Sequence, residues 1–500
     1  MAFSVSFQPW RFLGMACVVA ARRARMLEQG LPGGLTFPAA FVAPGGTLPS
    51  TLSARGSSPV LAPSLEGMSG IGDVHRTRGV AGRLALGTAS AAMMSASGSR
   101  PRRRFGDRAA VHGGAPGVVR RSTGAAGGGG STTLHLGVVG YGLVGKELVS
   151  QLLENAAKLE SKLGVRVEIS AVARSKSMVL LPANGDACLA GGEWPSGEVP
   201  ADLKALGEHV LKEAASSGGR AMIVDNTASD LPVDFYEGWL AKGVSVATPN
   251  KRAGSGPYDR YEKIMAAASS GGSRFLYEAT VGAGLPIVGP LQGLLSAGDE
   301  VKAVEGIFSG TLSYIFNTWK PGIKFSEVVK EAKDKGFTEP DPRDDLGGTD
   351  VQRKVIILAR EIGLKLELDD VPVKSLVPEA LQNWSPKDGE NLGDAFVAGL
   401  VPFDDDMDAL ISEADAAGEV LRFVGAVDVK SGSASVKLGR YPKDHPFAGT
   451  QFADNIVAFD TKWYDPRPLV VQGPGAGAAV TAAGIFGNVL EVMNGMKVGH

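Results

Sequence analysis

Residues 134–159 constrain the fold more than any other stretch of this chain. Leu134-His-Leu-Gly-Val-Val139 is a short, nearly unbroken apolar run, the pattern of a strand buried on both faces. It leads directly into Gly140-Tyr-Gly142-Leu-Val-Gly145, and a helical pattern follows from about Leu143 to Leu159. Glycine-rich turns are common, so the spacing alone decides little. Between a strand and a helix it matches the fingerprint of a dinucleotide-binding βαβ unit. In that unit Gly140 makes the tight turn and Gly142 lets the backbone approach a pyrophosphate. Gly145 permits close helix–strand packing, and the helix N-terminus at Leu143 and Val144 faces the anion.

The alternation of strands and helices continues. Val165–Ala173 reads as the second strand. A site specific for NAD places an acid at its end, but here Arg174-Ser-Lys176 follows. Two cations and a hydroxyl suit a 2′-phosphate, so NADP is expected ahead of NAD, with use of both left open. The plainer alternative is a solvated basic loop. Ala221–Val224 is a further buried strand, ending in Asp225, Asn226, Thr227 and Ser229, of which Thr227 and Ser229 are expected to face the cofactor. Val244-Ser-Val-Ala-Thr-Pro-Asn-Lys-Arg252 comes next. Both motifs end strands of an α/β sheet, where ligands bind beyond the carboxyl ends.

The richest charged run is Gly336-Phe-Thr-Glu-Pro-Asp-Pro-Arg-Asp-Asp-Leu-Gly-Gly-Thr-Asp-Val-Gln-Arg-Lys354. Pro340 and Pro342 fix φ and remove amide donors, so Glu339 to Arg343 should not be helix interior. Thr349 or Asp350 is expected to cap a helix running to about Glu361, with Gly363 just beyond. Asp350 and Lys354, four apart, share one helix face flanked by Ile357 and Leu358. A lysine between an apolar wall and carboxylates can have a tuned pKa, which suits proton transfer. A solvated acidic loop is the plain alternative. A calcium loop fails on register, because the twelfth position from Asp341 is Gln352 rather than a glutamate.

Charge is unevenly distributed. Residues 1–130 carry fifteen arginines, no lysine and four acids, a net +11. The remaining 36 bases and 49 acids give −13. The arm is rich in Ser, Gly, Ala and Pro and lacks sustained periodicity, the composition of a transit peptide. Arg102-Arg103-Arg104 has no interleaved aromatics to stack on bases, so a nucleic-acid tail is disfavoured. Phe12–Ala21 can serve as a short signal-like apolar segment, with Phe37-Pro-Ala-Ala-Phe-Val-Ala-Pro44 after it. The pair resembles the bipartite presequences of algae with complex plastids, making plastid the expectation and mitochondrion the second choice. No apolar run approaches the roughly 20 residues of a membrane span. Cys17 and Cys188 are the only cysteines, so no disulfide framework exists, and Cys188 is expected to be a small buried residue.

Five separated motifs between about Leu134 and Leu490 resemble homoserine dehydrogenases, and the 336–354 run closely resembles their signature. In that family the substrate carries an α-ammonium and an α-carboxylate. By resemblance, Glu339 and Asp345 bind the amino acid, Lys354 is the acid–base residue and Asp350 supports it. Lys251, in Thr-Pro-Asn-Lys, reaches both nicotinamide and substrate. Where many members have Tyr, this chain has Phe337. Tyr277-Glu-Ala-Thr-Val-Gly-Ala-Gly-Leu-Pro286 matches the family segment whose main-chain oxygens hold a sodium ion, here those of Glu278, Val281, Ala283 and Leu285. Ser309 to Thr311 offer amides at a helix start to the substrate carboxylate. Gly473–Gly487 opens a helix reaching about Met496, with Gly477 near the cofactor. The expected fold is α/β: a Rossmann-type nucleotide-binding domain over 131–277, and an α+β substrate and dimerisation domain over 278–466. Residues 467–500 return to the first domain, and residues 1–130 form the presequence. The resemblance is to the short, monofunctional type, lacking an ACT or aspartate kinase domain, and it implies a homodimer.

Two rivals frame this reading. Aspartate-semialdehyde dehydrogenase has the same general layout but needs a cysteine nucleophile in a motif with histidine, a context Cys188 lacks. A non-catalytic NADP-sensing module would keep the glycine loops without needing Glu339, Asp345, Lys251 and Lys354 together. None of the six histidines lies in a motif, His135 being inside the first strand.

Overall fold

The structure, a computed structural model, describes residues 132–496. The presequence expectations at Phe12–Ala21, Phe37–Pro44 and Arg102–Arg104 lie outside the described residues. Seven strands form a first sheet: β1 (Thr132–Val139), β2 (Val165–Ala173), β3 (Ser177–Leu180), β4 (Val199–Pro200), β5 (Arg220–Asp225), β6 (Ser245–Ala247) and β7 (Phe275–Leu276). Their order is β4-β3-β2-β1-β5-β6-β7. β1, β2, β5, β6 and β7 run parallel, whereas β3 and β4 are antiparallel additions at one edge. β1 is central and its last six residues are buried, as its unbroken apolar pattern requires. Leu148, Leu152 and Leu163 of the Leu143–Leu163 helix pack with Ile485, Val489 and Met493 of the C-terminal Ala478–Asn494 helix in one core. Leu206 and Val210 of the Leu203–Ser217 helix lie in the other, with Ile223 and Val246. Strand order reverses between β1 and β5, which opens a crevice beyond their carboxyl ends.

The second sheet comprises β8 (Val301–Ile307), β9 (Glu419–Asp428), β10 (Ser433–Pro442), β11 (Asp454–Thr461) and β12 (Leu469–Pro474). Its order is β10-β9-β8-β11-β12, with every neighbouring pair antiparallel. The Thr349–Glu361 helix lies against this sheet so closely that a Cβ on Gly425 of β9 would fall 2.3 Å from Val355 Cγ2. Beyond β12 the chain passes Gly475-Ala-Gly477 into the Ala478–Asn494 helix, which packs on the Leu143–Leu163 helix of the first sheet. A Rossmann-type nucleotide-binding domain and a second, mixed domain are therefore both present.

Several local expectations change. The first helix continues to Leu163, because Leu159 and Leu163 are buried and Gly164 at φ 66° supplies the left-handed cap. Gly473 and Pro474 extend a strand opposite Asn455 and Asp454, so the last helix begins only at Ala478. Arg343 sits in the first turn of a short Pro342–Leu346 helix, since proline at the first helical position loses no needed donor. Neither Thr349 nor Asp350 caps the helix that follows them. Gly348 occupies the cap at φ 78°, which leaves the Asp350 carboxylate free for other partners. Among the described residues, no helix is long and apolar enough to cross a membrane.

Candidate functional site

Lys354 emerges from the buried face of the Thr349–Glu361 helix, among Val351, Val355, Ile357 and Leu358. It is only 8% exposed. Its Nζ donates to the Phe308 carbonyl at 2.6 Å and pairs with Asp350 Oδ2 at 2.7 Å. Burial pulls its pKa below the usual lysine range, Asp350 opposes this, and Lys251 adds to it. Lys251 reaches the other oxygen of the same carboxylate, Oδ1, at 3.2 Å. The Asp350 side chain is 48% exposed, and the partial desolvation that would raise its pKa is outweighed by the two lysines, which hold the carboxyl below its normal range. Asp350 therefore stays ionised and bridges two cations. One of these is Lys354, whose burial favours loss of its proton.

Lys251 is delivered by the first domain. Asp225, wholly buried at the end of β5, accepts from Tyr236 Oη at 2.6 Å and from Asn250 Nδ2 at 3.0 Å. Thr248 Oγ1 donates to the Asp225 carbonyl, and Asn250 caps the Lys251–Ser255 helix through the Arg252 amide. The Thr-Pro-Asn-Lys motif is thus a bracket that fixes where Lys251 starts. That short helix docks on the lysine-bearing helix. A Cβ on Gly254 would fall 2.9 Å from Ile357 Cγ1, so a larger residue there would push the helices apart. Arg353 donates to Ser255 Oγ at 3.0 Å and Arg360 to the Gly254 carbonyl at 2.9 Å.

The acidic run divides its labour. Asp341 caps the Pro342–Leu346 helix and forms an ion pair with Arg343 at 2.7 Å, whereas Asp344 is exposed. Asp345 Oδ2 accepts from the Glu339 amide at 2.8 Å, so the two residues are held together. Burial pushes the Asp345 carboxyl up to about 6, the Glu339 amide opposes this, and the charges of Glu339 and Asp350 add to it. Thr311, early in the Gly310–Thr318 helix, donates to the Phe337 carbonyl at 2.6 Å. It thereby ties the start of this run to a helix whose own first turn is capped by Ser309. The Phe337 ring is 43% exposed and lies against Tyr314.

At the reversal point of the first sheet, Gly140 has φ 83° and a Cβ on it would meet Thr227 and the Asn226 backbone. A Cβ on Gly145 would fall 2.3 Å from the Gly140 carbonyl oxygen, so the helix rests on the turn itself. Nothing lies within 4 Å of a Cβ on Gly142, and Leu143 is 83% exposed. Open space therefore fronts a helix N-terminus with free amides, which fits a pyrophosphate. Val144 packs against the core below. Gly477, at φ 116°, begins the C-terminal helix, likewise with open space where a Cβ would be. Thr227 Oγ1 lies 3.5 Å from Asn250 Nδ2, while the Ser229 hydroxyl caps a short helix through Leu231. Arg174 and Lys176 are exposed at the end of β2, beside the loop.

Residues 140–278 match the family model for the homoserine dehydrogenase NAD-binding domain, and residues 286–490 that for homoserine dehydrogenase. A Schizosaccharomyces pombe homoserine dehydrogenase is 43% identical over 380 residues, which span 73% of this chain and 97% of the relative. The chain belongs to the homoserine dehydrogenase family. Maize bifunctional aspartokinase/homoserine dehydrogenase 1, chloroplastic, is 48% identical over 361 residues, but this chain covers only 38% of that protein. A crystal structure of a Candida auris protein of unknown function matches with TM-score 0.65 and 37% identity, over 72% of this chain and 98% of that one. An archaeal homoserine dehydrogenase in complex with NADPH shares the fold, with TM-score 0.53 and 19% identity, over 74% of this chain and 99% of that one.

The turn after β7 is closely packed. The Glu278 carboxylate accepts from the amides of Ile287, Val288 and Gly289, so its side chain is committed to a helix start. Ala283 has φ 56°, and the backbone of the C-terminal helix presses on Gly284. Among the described residues, the carbonyls of Val281, Ala283 and Leu285 accept no hydrogen bond. Main-chain oxygens of this kind suit a hard cation.

Sequence reasoning missed three participants. The Phe308 carbonyl holds both Lys354 and Asn455 Nδ2, the latter at 3.2 Å. Asn455 is wholly buried, a polar residue at an inward strand position, and that was the available signal. Trp194, a lone aromatic in the glycine- and proline-rich 191–197 stretch, stacks with Arg174. Cys188 was expected to be buried but is exposed, because the short turn Gly185–Leu189 buries Leu189 instead.

Proposed function

We propose that this protein interconverts L-homoserine and L-aspartate 4-semialdehyde with NADP(H), an oxidoreductase step of threonine, methionine and isoleucine biosynthesis. The observation that carries this reading is the bridge of Lys251 and Lys354 across one ionised carboxylate, formed where the two domains meet. The cofactor, when bound, accepts or supplies the hydride at the substrate's C4. Gly140, Gly142, Leu143, Val144, Gly145, Thr227, Ser229 and Gly477 would line its site, and Arg174 and Lys176 would take its 2′-phosphate, with NAD as the lesser alternative.

Glu339 and Asp345 offer negative charge to the α-ammonium, and Thr311 fixes the backbone of their loop. Lys354 and Lys251 bracket the reacting oxygen. In reduction a lysine gives its proton as negative charge develops on that oxygen; in oxidation it takes the proton back. The lowered pKa of Lys354 eases both directions. Asp350 keeps the pair in place and offsets one of the two lysine charges.

The elevated Asp345 pKa gives a pH test. In the free protein the carboxyl is protonated below about 6, so its attraction for an ammonium group is lost as pH falls through that value. The KM for homoserine is expected to rise below that pH while NADPH affinity stays flat. In Asp345→Asn the KM should be raised at every pH, with the acid-side rise gone. A wild-type KM that is flat through this range contradicts the assignment. The reaction itself is tested by following NADPH consumption with L-aspartate 4-semialdehyde. Phosphate-independent reduction is expected; a requirement for phosphate in the reverse, oxidative assay of the semialdehyde favours the aspartate-semialdehyde dehydrogenase alternative.

Three further readings rest on the family likeness and a fourth on the composition of the N-terminal arm. The first domain would end near 277/278, but the return to it would fall after Pro474 and not near 466/467, because β12 still pairs with β11 of the second sheet. The carbonyls of Glu278, Val281, Ala283 and Leu285 would hold a structural sodium ion, for which three unbonded oxygens in a tight turn are suitable donors. The protein would act as a homodimer, and the arginine-rich arm would direct it to a plastid. Loss of activity when choline replaces sodium, a dimer in sedimentation, and plastid import of a reporter fused to residues 1–130 are the expected results; indifference to sodium, a monomer, or mitochondrial import would each overturn the reading concerned.

A further inference from the structure

Arg174 leaves the end of β2, next to the glycine loop. The amides of Gly140 and Tyr141 both donate to the carbonyl of Ala173, the residue before it. Its guanidinium lies 4.0 Å from the centroid of the Trp194 ring. That ring is itself held. Its Nε1 donates to Glu198 at 2.9 Å, and it packs at 5.9 Å against Tyr141, a buried residue of the loop. The Arg174 amide closes a turn onto the Ser177 carbonyl at 2.8 Å, which fixes the backbone end of the side chain. Arg174 is therefore anchored at both ends, although it is exposed and, among the described residues, forms no ion pair with a carboxylate.

We propose that Trp194 is a positioning residue for NADP selectivity. It clamps the Arg174 guanidinium flat, so that the edge donors are presented to a 2′-phosphate before the cofactor arrives. One face of the guanidinium is covered by indole, leaving the in-plane N–H fork and the other face for ligand. An unclamped arginine would have to give up its rotamer freedom on binding. The selectivity element thus lies partly in the 181–198 segment, outside the glycine fingerprint. This inference rests on the dinucleotide reading of the first domain, but not on homoserine as substrate.

The test is equilibrium binding of NADPH and NADH to the full chain by calorimetry, without turnover. Trp194→Leu keeps apolar bulk against Tyr141 but removes the π face, and Trp194→Ala removes both. Each is expected to weaken NADPH about tenfold, the scale of a partly desolvated cation–π contact, and NADH less than about twofold. Trp194→Phe should keep most of the selectivity. Arg174→Ala should lose it selectively for NADPH, and adding Trp194→Leu to Arg174→Ala should cost nothing more. An equal loss for both cofactors in the Leu variant, no loss for either, or additive effects in the double variant would overturn the proposal. If the wild-type chain binds NADPH no tighter than NADH, the proposal also falls, while the dehydrogenase reading survives with NAD. If NADPH binds selectively but homoserine is not oxidised, the dehydrogenase reading falls and this one stands.

Discussion

Lys354→Ala is expected to lower turnover by about 10²–10⁴-fold, the usual contribution of a positioned acid–base group, while NADPH affinity is unchanged. The variant should fold. Lys354 is a desolvated ammonium on a helix, and alanine removes that cost while favouring the helix. Asp350 keeps Lys251 as its partner at 3.2 Å, and the Phe308 carbonyl keeps Asn455. Loss should therefore appear in kcat rather than in stability. Lys354→Arg tests the same point differently, since it restores charge but has no proton to give at neutral pH. Near-normal turnover in either variant would remove Lys354 from the chemistry.

Gly145→Ala should do the opposite, abolishing cofactor binding while leaving the lysine bridge intact. The added Cβ would sit 2.3 Å from the Gly140 carbonyl oxygen and 3.3 Å from Asn226 Nδ2. The first obstacle is backbone, which cannot rotate away. Relief requires the helix to move off the turn, at about 1–3 kcal/mol of stability for the overpacking. That displaces the amides meant for the pyrophosphate, so NADPH affinity should fall by at least about 100-fold, equivalent to roughly 2.7 kcal/mol. Gly142→Ala is the informative companion. Its Cβ meets no protein atom within 4 Å, so stability should be unchanged, yet the methyl would enter the space reserved for the phosphates. If Gly145→Ala binds NADPH normally, the loop is not the phosphate cradle.

How much of this could be seen in advance depended on how local the cause was. The β1–glycine–helix unit, the strand ending at Asp225 and the Thr349–Glu361 helix follow from short-range patterns of burial, turn residues and helix periodicity, and each occurs near its expected place. The pairing of Lys354 with Asp350 is also local, one helical turn apart. Lys251 and Lys354 lie 103 residues apart in the chain, and only the docking of Gly254 on Ile357 brings them to one carboxylate. Periodicity carries no information about that contact; the family likeness did. Asn455 and the Phe308 carbonyl were missed because one is a single buried amide in an ordinary strand and the other is backbone. The cap at Gly348 was misjudged because threonine and aspartate are good caps in isolation, while Asp350 has stronger partners in two lysines. Cys188 was misjudged because its neighbour Leu189 competes for the same buried position.

The most direct test adds L-homoserine and NADP⁺ to the purified protein and follows formation of the reduced nicotinamide. Homoserine-dependent reduction of NADP⁺, lost in Lys354→Ala and Lys251→Ala alike, is the expected result. Tight NADPH binding with no homoserine-dependent reduction in the wild-type protein would contradict it, and would point to the non-catalytic sensing module instead.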